Sequence, residues 1–330
     1  MTRNLKEFVN QTTGARPPKV VSGPTHVAIL LGLRNGASML GEQLGSLAAQ
    51  THTDWSLIVS DDGSTDRWSE IVWAFARHAR DKRIAVMKGP ERGFAQNFLT
   101  MLEEIGATVP YAAFCDQDDV WCPSKLRCAL DALADIPAAR PALYCGRTIL
   151  TDQNLTQIGK SPLFQAPPAF QNALVQSIAG GNTMVLNRAA IDLLQDTRRH
   201  AQSVVSHDWW AYQLITGAGG RVIYDAEPQV HYRQHGANLI GANTGLPAMA
   251  HRIRLLWAGR FRHWNDAQTQ ALTRAAHWLT PDARQRLDAF KKARTGPLRD
   301  RMLALHRSGA MRQTRRGTIA LWLAALMRRL

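Results

Sequence analysis

The hydrophobic pattern in the first half of the chain switches repeatedly between two periods. "HVAILLGL" (26–33) is an unbroken apolar run of strand length, and "RNGASMLGEQLGSLAAQ" behind it spaces its apolar residues by three and four, as a half-buried helix does. The same switch recurs, predicting strands over 55–60, 83–89 and 111–115 and helices over 66–80 and 93–106. Repeated βα units of this kind predict an α/β fold with a mostly parallel sheet, whose ligands bind beyond the carboxyl ends of the strands. Past residue 140 the order loosens into "ALYCGRTILTDQN", a Pro-bearing loop (161–168), "GGNTMVLNR" (180–188) and the helix-like "HDWWAYQLITGAG" (207–219). From about 248 the pattern is helical and Arg-rich, with Ile253, Leu256, Trp257, Phe261 and Trp264 forming one apolar stripe. The chain therefore divides into a polar leader (1–25), an α/β body (26–247) and a basic helical region (248–330).

Charge sharpens that division. Residues 251–330 hold 18 Lys and Arg against 4 Asp and Glu, so the whole formal excess of +14 sits there and the first 250 residues are balanced. A neutral body with a basic end implies an anionic surface as partner for that end. The N-terminus has no apolar signal core, and no apolar run approaches the roughly 20 residues of a bilayer span, so a cytoplasmic chain without a membrane-spanning helix is expected. The four cysteines form no CxxC pair, and reduced thiols are expected.

Candidate chemistry gathers where the predicted strands end. "YAAFCDQDDVWCPSKL" (111–126) runs from a buried strand into Asp116, Asp118 and Asp119, with Pro123 suited to the first turn of a helix. Carboxylates crowded on a short loop repel one another unless a cation offsets them, and hard oxygen ligands suit Mg²⁺ or Mn²⁺. "SDDGSTD" (60–66) ends the second strand in the same way: Asp61 and Asp62 precede a tight turn at Gly63, and Ser64 or Thr65 is placed to cap the next helix. Each turn alone reads as a solvated acidic loop. As a pair they must open on one edge of the sheet.

"LRNGASMLGEQLGSLAAQTHTDWSLIVSDDGSTD", "ERGFAQNFL" and "FCDQDDVWCPSKL", in this order, resemble the nucleotide-sugar-binding half of a family 2 glycosyltransferase of the GT-A fold. "GGNTMVLNR", "SHDWW" and "YRQHGANLIGAN" are similar to its rhamnosyltransferase-like members. The resemblance spans roughly 26–245 and implies a Rossmann-like GT-A domain. It further implies that Arg34, Asn35, Asp61, Asp62, Gly93, Asn97 and Asp116 surround the nucleotide sugar, without saying which of Asp61 and Asp62 meets the base. Asp118 matches the metal-contacting residue of the DxD motif, and Asp208 the general base. Arg233 can fork onto phosphate oxygens and His235 can ligate a metal or contact diphosphate. Thr183, Trp209 and Trp210 fall on the acceptor side, where the two indoles would exclude water and stack on sugar. Asn182 stands where relatives carry a smaller residue.

The implied reaction is an inverting displacement from a nucleotide-diphosphate donor, dTDP-rhamnose favoured over a UDP-sugar, to a glycan or lipid-linked saccharide hydroxyl. Two other classes account for less of the chain. A nucleic-acid-binding protein explains the arginines but neither the neutral body nor its aspartates. A nucleotidyltransferase would open with a Gly-rich phosphate loop that "GLRNGASML" lacks. For the tail, Ile319–Met327 is too short to cross a bilayer, but the run suits a helix lying at an anionic membrane surface. A helical cap docked through Trp257, Phe261 and Trp264 is the other reading, and different helices can do both.

Overall fold

A computed structural model of the chain describes residues 23–79, 83–234 and 260–330. Elements follow in the order β1 (Val27–Leu33), α1 (Ala37–Ala48), β2 (Trp55–Asp61), α2 (Trp68–His78), β3 (Arg83–Lys88), α3 (Phe94–Glu103), β4 (Tyr111–Asp116), β5 (Val120–Trp121) and α4 (Lys125–Leu133). The middle of the chain adds β6 (Ala142–Gly146), β7 (Ile149–Thr151), β8 (Gln157–Lys160), α5 (Phe170–Ala173), β9 (Val185–Asn187), α6 (Arg188–Asp196), α7 (His207–Gly217), β10 (Arg221–Asp225) and β11 (Val230–Arg233). Four helices follow: α8 (Arg260–Arg274), α9 (Pro281–Thr295), α10 (Leu298–Ser308) and α11 (Arg315–Leu326).

The main sheet has seven strands in the order β10-β6-β9-β4-β1-β2-β3. It is parallel except for β9, which runs antiparallel to both its neighbours, β4 and β6. A smaller sheet, β5-β11-β7-β8, lies alongside. β1 shows why its sequence is an unbroken apolar run: Ala28 and Leu30 enter one core cluster, while Val27, Ile29 and Leu31 enter the other. Successive side chains on a strand face opposite ways, so a strand covered by helices on both faces must be apolar throughout. One cover is built from Leu40, Leu44 and Leu47 of α1, Val72 of α2 and Leu126 and Leu130 of α4. The other comes from Phe98 and Leu102 of α3, Ile191 and Leu194 of α6, and Trp210 and Leu214 of α7.

The C-terminal helices extend that second cover. Leu272, Leu287, Phe290, Leu305 and Leu321 belong to the same cluster as Leu174 and Trp210. Docking differs in detail from the aromatic stripe expected. Phe261 is only partly buried, and the buried face of α8 holds Asn265, Gln268, Ala271 and Leu272 instead. Gln268 is satisfied there: its Oε1 accepts from the Val205 amide at 3.1 Å and its Nε2 donates to Gln213 Oε1 at 3.0 Å. Ile253, Leu256 and Trp257 lie outside the described residues, as does most of the leader. Among the described residues, no helix is long and apolar enough to cross a membrane.

Candidate active site

Both acidic turns leave the same edge of the sheet. β1 lies between β2 and β4 with Leu33 opposite Asp61 and Gly32 opposite Asp116. Two interstrand steps separate the two aspartates, about 10 Å between backbones. The β1 exit, Arg34–Gly36, runs between them and is tied to both. The Gln117 amide brackets Arg34, accepting from its N–H at 2.8 Å and donating to its carbonyl at 3.0 Å. On the other side the Asn35 N–H donates to Ser64 Oγ at 2.9 Å, the Thr65 N–H donates to Asn35 Oδ1 at 2.8 Å, and the Ala37 N–H donates to Asp66 Oδ2 at 2.8 Å. Asn35 sits at φ 51°, the left-handed region that Asn tolerates better than most residues. Ser64 and Thr65 thus brace the β1 exit rather than capping α2, whose N-cap, Arg67, makes no side-chain cap bond.

Gln117 packs directly over Gly36, where an added Cβ would stand 2.3 Å from its Cδ and Oε1 and displace the amide. Gly36→Ala is expected to push the Gln117 side chain aside and break its bracket, lowering stability by about 1 kcal/mol, the order of the hydrogen bonds lost. Donor affinity falls with it. Denaturant titration and donor-induced melting shifts measure the two effects.

The candidate donor residues divide into those at the cleft and those behind it. Asp62 is buried and accepts from the Glu91 N–H at 2.6 Å and the Gly93 N–H at 3.1 Å. It fixes the approach to α3, where Gly93 takes φ 86°. Asn97, also buried, is locked to Ser60: Ser60 Oγ donates to its Oδ1 at 2.5 Å, and its Nδ2 donates to the Ser60 carbonyl at 3.1 Å. Both side chains form the wall of the site. Asp61 is half-buried, with Oδ1 taking the Ser64 N–H at 2.9 Å, and Arg34 is exposed at the rim.

The DQDD turn is held from beneath. Asp119 is inaccessible: its Oδ2 accepts from Asn182 Nδ2 at 2.5 Å and its Oδ1 from the Arg233 N–H at 3.2 Å, while burial holds its carboxyl well above the usual carboxylate range. The Arg233 guanidinium donates to the Asp118 carbonyl at 2.9 Å and pairs with Glu42. This corrects the expectation of a phosphate-clasping loop residue: Arg233 ends β11, is buried, and is already engaged by the turn it supports. Lys125 lies deeper still, its ammonium 3.5 Å above the Trp121 ring and its pKa pulled down to about 7 by burial. Asp116 is pushed up to about 8, first by burial, then by the charges of Asp118 and Asp208.

Asp208 faces this group from α7. Ser206 Oγ and the Trp209 N–H, the latter at 2.6 Å, donate to its Oδ1, and the Gly181 backbone adds a further bond. Burial raises its pKa and these donors oppose the rise. Its neighbour His207 is caged by Phe94, Phe98 and Phe114, and burial depresses its pKa to about 3, so it stays neutral. Gly181 must be glycine, because an added Cβ would lie 2.3 Å from His207 Nε2.

Three acceptor-side candidates turn away from the cleft. Trp210 is wholly inside the core, Trp209 donates its Nε1–H to the Ala173 carbonyl at 2.7 Å, and Thr183 is buried with Oγ1 donating to the Gly180 carbonyl at 2.8 Å. A helix that starts at the cleft sends its next residues inward, so the two indoles cannot stack on sugar as expected. His235 lies outside the described residues. Among those described, no cluster of three or more His, Cys, Asp or Glu side chains could hold a metal ion by itself. The oxygen donors of Asp116 and Asp118 are nonetheless of the kind that suits a hard divalent cation, and Asp116, raised first by burial and then by the charges of Asp118 and Asp208, lies where a cation would offset negative charge.

The family model for glycosyl transferase family 2 matches residues 29–194, just over half of the chain. The chain belongs to glycosyl transferase family 2. This family 2 glycosyltransferase is 28% identical over 236 residues to the dTDP-rhamnosyl transferase RfbG of Shigella flexneri, covering 67% of the chain and 77% of that protein. It is 27% identical over 150 residues to the succinoglycan biosynthesis protein ExoW of Rhizobium meliloti, covering 42% and 47%. Its fold is similar to that of S. aureus TarS 1-349, solved with UDP-GlcNAc, at a TM-score of 0.51 and 13% identity over 92% of this chain and 88% of that one. The architecture is therefore GT-A, and the nucleotidyltransferase and nucleic-acid-binding readings give way to a glycosyltransferase.

Proposed function

We propose that this glycosyltransferase moves rhamnose or a related deoxysugar from a dTDP-linked donor to a hydroxyl of a glycan or lipid-linked saccharide, with inversion. It would act at the cytoplasmic face of an anionic membrane. The observation that carries the reading is that Asp61 and Asp116 end the strands on either side of β1, with Asp118 and Asp208 near enough to Asp116 that their charges add to the effect of burial in raising its pKa. The similarity to a dTDP-rhamnosyl transferase supports the donor. UDP-sugars are the other donors to test.

Asp61, Arg34 and the braced β1 exit would hold the nucleotide, Asp61 being preferred to the buried Asp62 because it is the more accessible of the two. Asp118 and Asp116 would hold Mg²⁺ or Mn²⁺, which when bound offsets the charge developing on the departing diphosphate. Asp208 takes the acceptor proton as the hydroxyl attacks. Its raised pKa suits a base, since efficient proton acceptors lie nearer the operating pH. One displacement needs one base. Asp119, Asn182 and Arg233 hold the carboxylates where they are.

Melting the protein with dTDP-rhamnose, UDP-glucose, UDP-GlcNAc and GDP-mannose, each with Mn²⁺ or EDTA, tests the donor. At a hundredfold excess over Kd a bound donor stabilises by about 2.7 kcal/mol. The largest shift is expected with dTDP-rhamnose and Mn²⁺. A larger shift with a UDP-hexose would replace the donor, and no shift with any of them would remove the reading.

A further inference from the structure

We propose that α11 is a docking surface for an anionic lipid bilayer. The inference rests on the anionic-membrane location proposed above and adds which surface makes the contact. α11 buries Leu321, Ala324 and Ala325 in the core but leaves Ile319, Leu323 and Leu326 61%, 51% and 49% exposed, with Met327 beside them. These positions fall three and four apart, so they form one stripe on the outward side of a helix. Scattered exposed apolar residues need no explanation, whereas a continuous stripe does.

Charge says what covers it. Arg315 and Arg316 are exposed where the stripe begins and Arg328 where it ends, and residues 301–330 contain seven arginines and no Asp or Glu. An apolar strip bounded by cations, on a helix of about 18 Å, fits the boundary between headgroups and acyl chains and cannot span it. A second copy of the chain is the poorer occupant, because two such faces would bring like charges together.

The start of α11 is tied by hydrogen bonds to the segment that precedes Gly180. Just ahead of α11, the Gln313 N–H donates to Gln176 Oε1 at 3.1 Å and the Met311 carbonyl accepts from Asn172 Nδ2 at 3.1 Å. That partner segment runs on into Gly180 and Gly181 beside Asp208. Seating α11 on a membrane would present the base to acceptors anchored in it.

Sedimentation of the full chain with phosphatidylcholine vesicles, with and without roughly one-third phosphatidylglycerol, tests this. Wild type is expected to bind only the anionic vesicles, less so as salt rises. Ile319→Ser/Leu323→Ser/Leu326→Ser and Arg315→Gln/Arg316→Gln/Arg328→Gln, all at exposed positions, should each bind at least about tenfold more weakly at an unchanged melting temperature. Should wild type bind while both variants bind equally well, the membrane location stands and α11 is the wrong surface. If wild type binds no vesicle, or the chain pairs through α11 instead, the membrane reading itself fails, while donor binding remains a separate measurement.

Discussion

Asp208→Asn is expected to lower kcat by about 10²–10⁴-fold, the span attributable to one positioned base. Asparagine keeps the shape of the side chain, and its Oδ1 can still accept from Ser206 and the Trp209 N–H, so the start of α7 should hold. What is lost is the capacity to take a proton. Asp61 and the braced β1 exit are untouched, so the melting shift produced by donor and Mn²⁺ should survive within experimental error. Removing a negative charge from beside Asp116 should even firm up donor binding slightly. Steady-state transfer measured alongside donor-induced stabilisation separates the outcomes, and a variant transferring sugar at the wild-type rate would remove Asp208 from its role.

Asp118→Asn should fail in the opposite manner. Its backbone carbonyl still receives the Arg233 guanidinium and Asp119 still anchors the turn, so the loop should keep its course. The cleft then holds one less anionic oxygen for a hard cation, and amide oxygen is a poor substitute. Donor should bind with nearly the same affinity in Mn²⁺ and in EDTA, and transfer should fall by at least about a hundredfold if charge neutralisation at the leaving group contributes as such stabilisation usually does. A wild-type response to metal would assign the cation elsewhere. The two variants together separate loss of proton transfer from loss of metal-dependent donor binding.

The fold was legible where burial leaves a long signature. β1, β2 and β4 are continuous apolar runs because both faces are covered, and α1 carries helical spacing because only one side is. β9 was not legible as a strand, nor was the smaller sheet: elements of two to four residues contain too few side chains to show a period. At the candidate site, the sheet edge holding Asp61, Asp116 and Asp118 was legible because strand ends can be counted, whereas Asp208 was singled out only by the family resemblance of "SHDWW". Sequence could not say which polar residues beside them turn inward. Asp62, Asn97 and Arg233 resemble ligand contacts in a string of letters but spend their hydrogen bonds on the protein. Gln117 and Asn182, which do much of the positioning, act on partners 83 and 63 residues away. No local pattern announces such pairings, although each of the two side chains packs closely over a glycine, Gln117 over Gly36 and Asn182 over Gly180.

The lacing of the β1 exit to the turns after β2 and β4 bears on how donor preference can change. Because Gln117, Asn35, Ser64 and Asp66 each reach across to another turn, importing any one of these segments from a relative with a different sugar would leave its counterparts mismatched. Altered selectivity should therefore be won by exchanging the three as a set, or by single changes at rim positions such as Arg34 whose side chains take no part in the stitching.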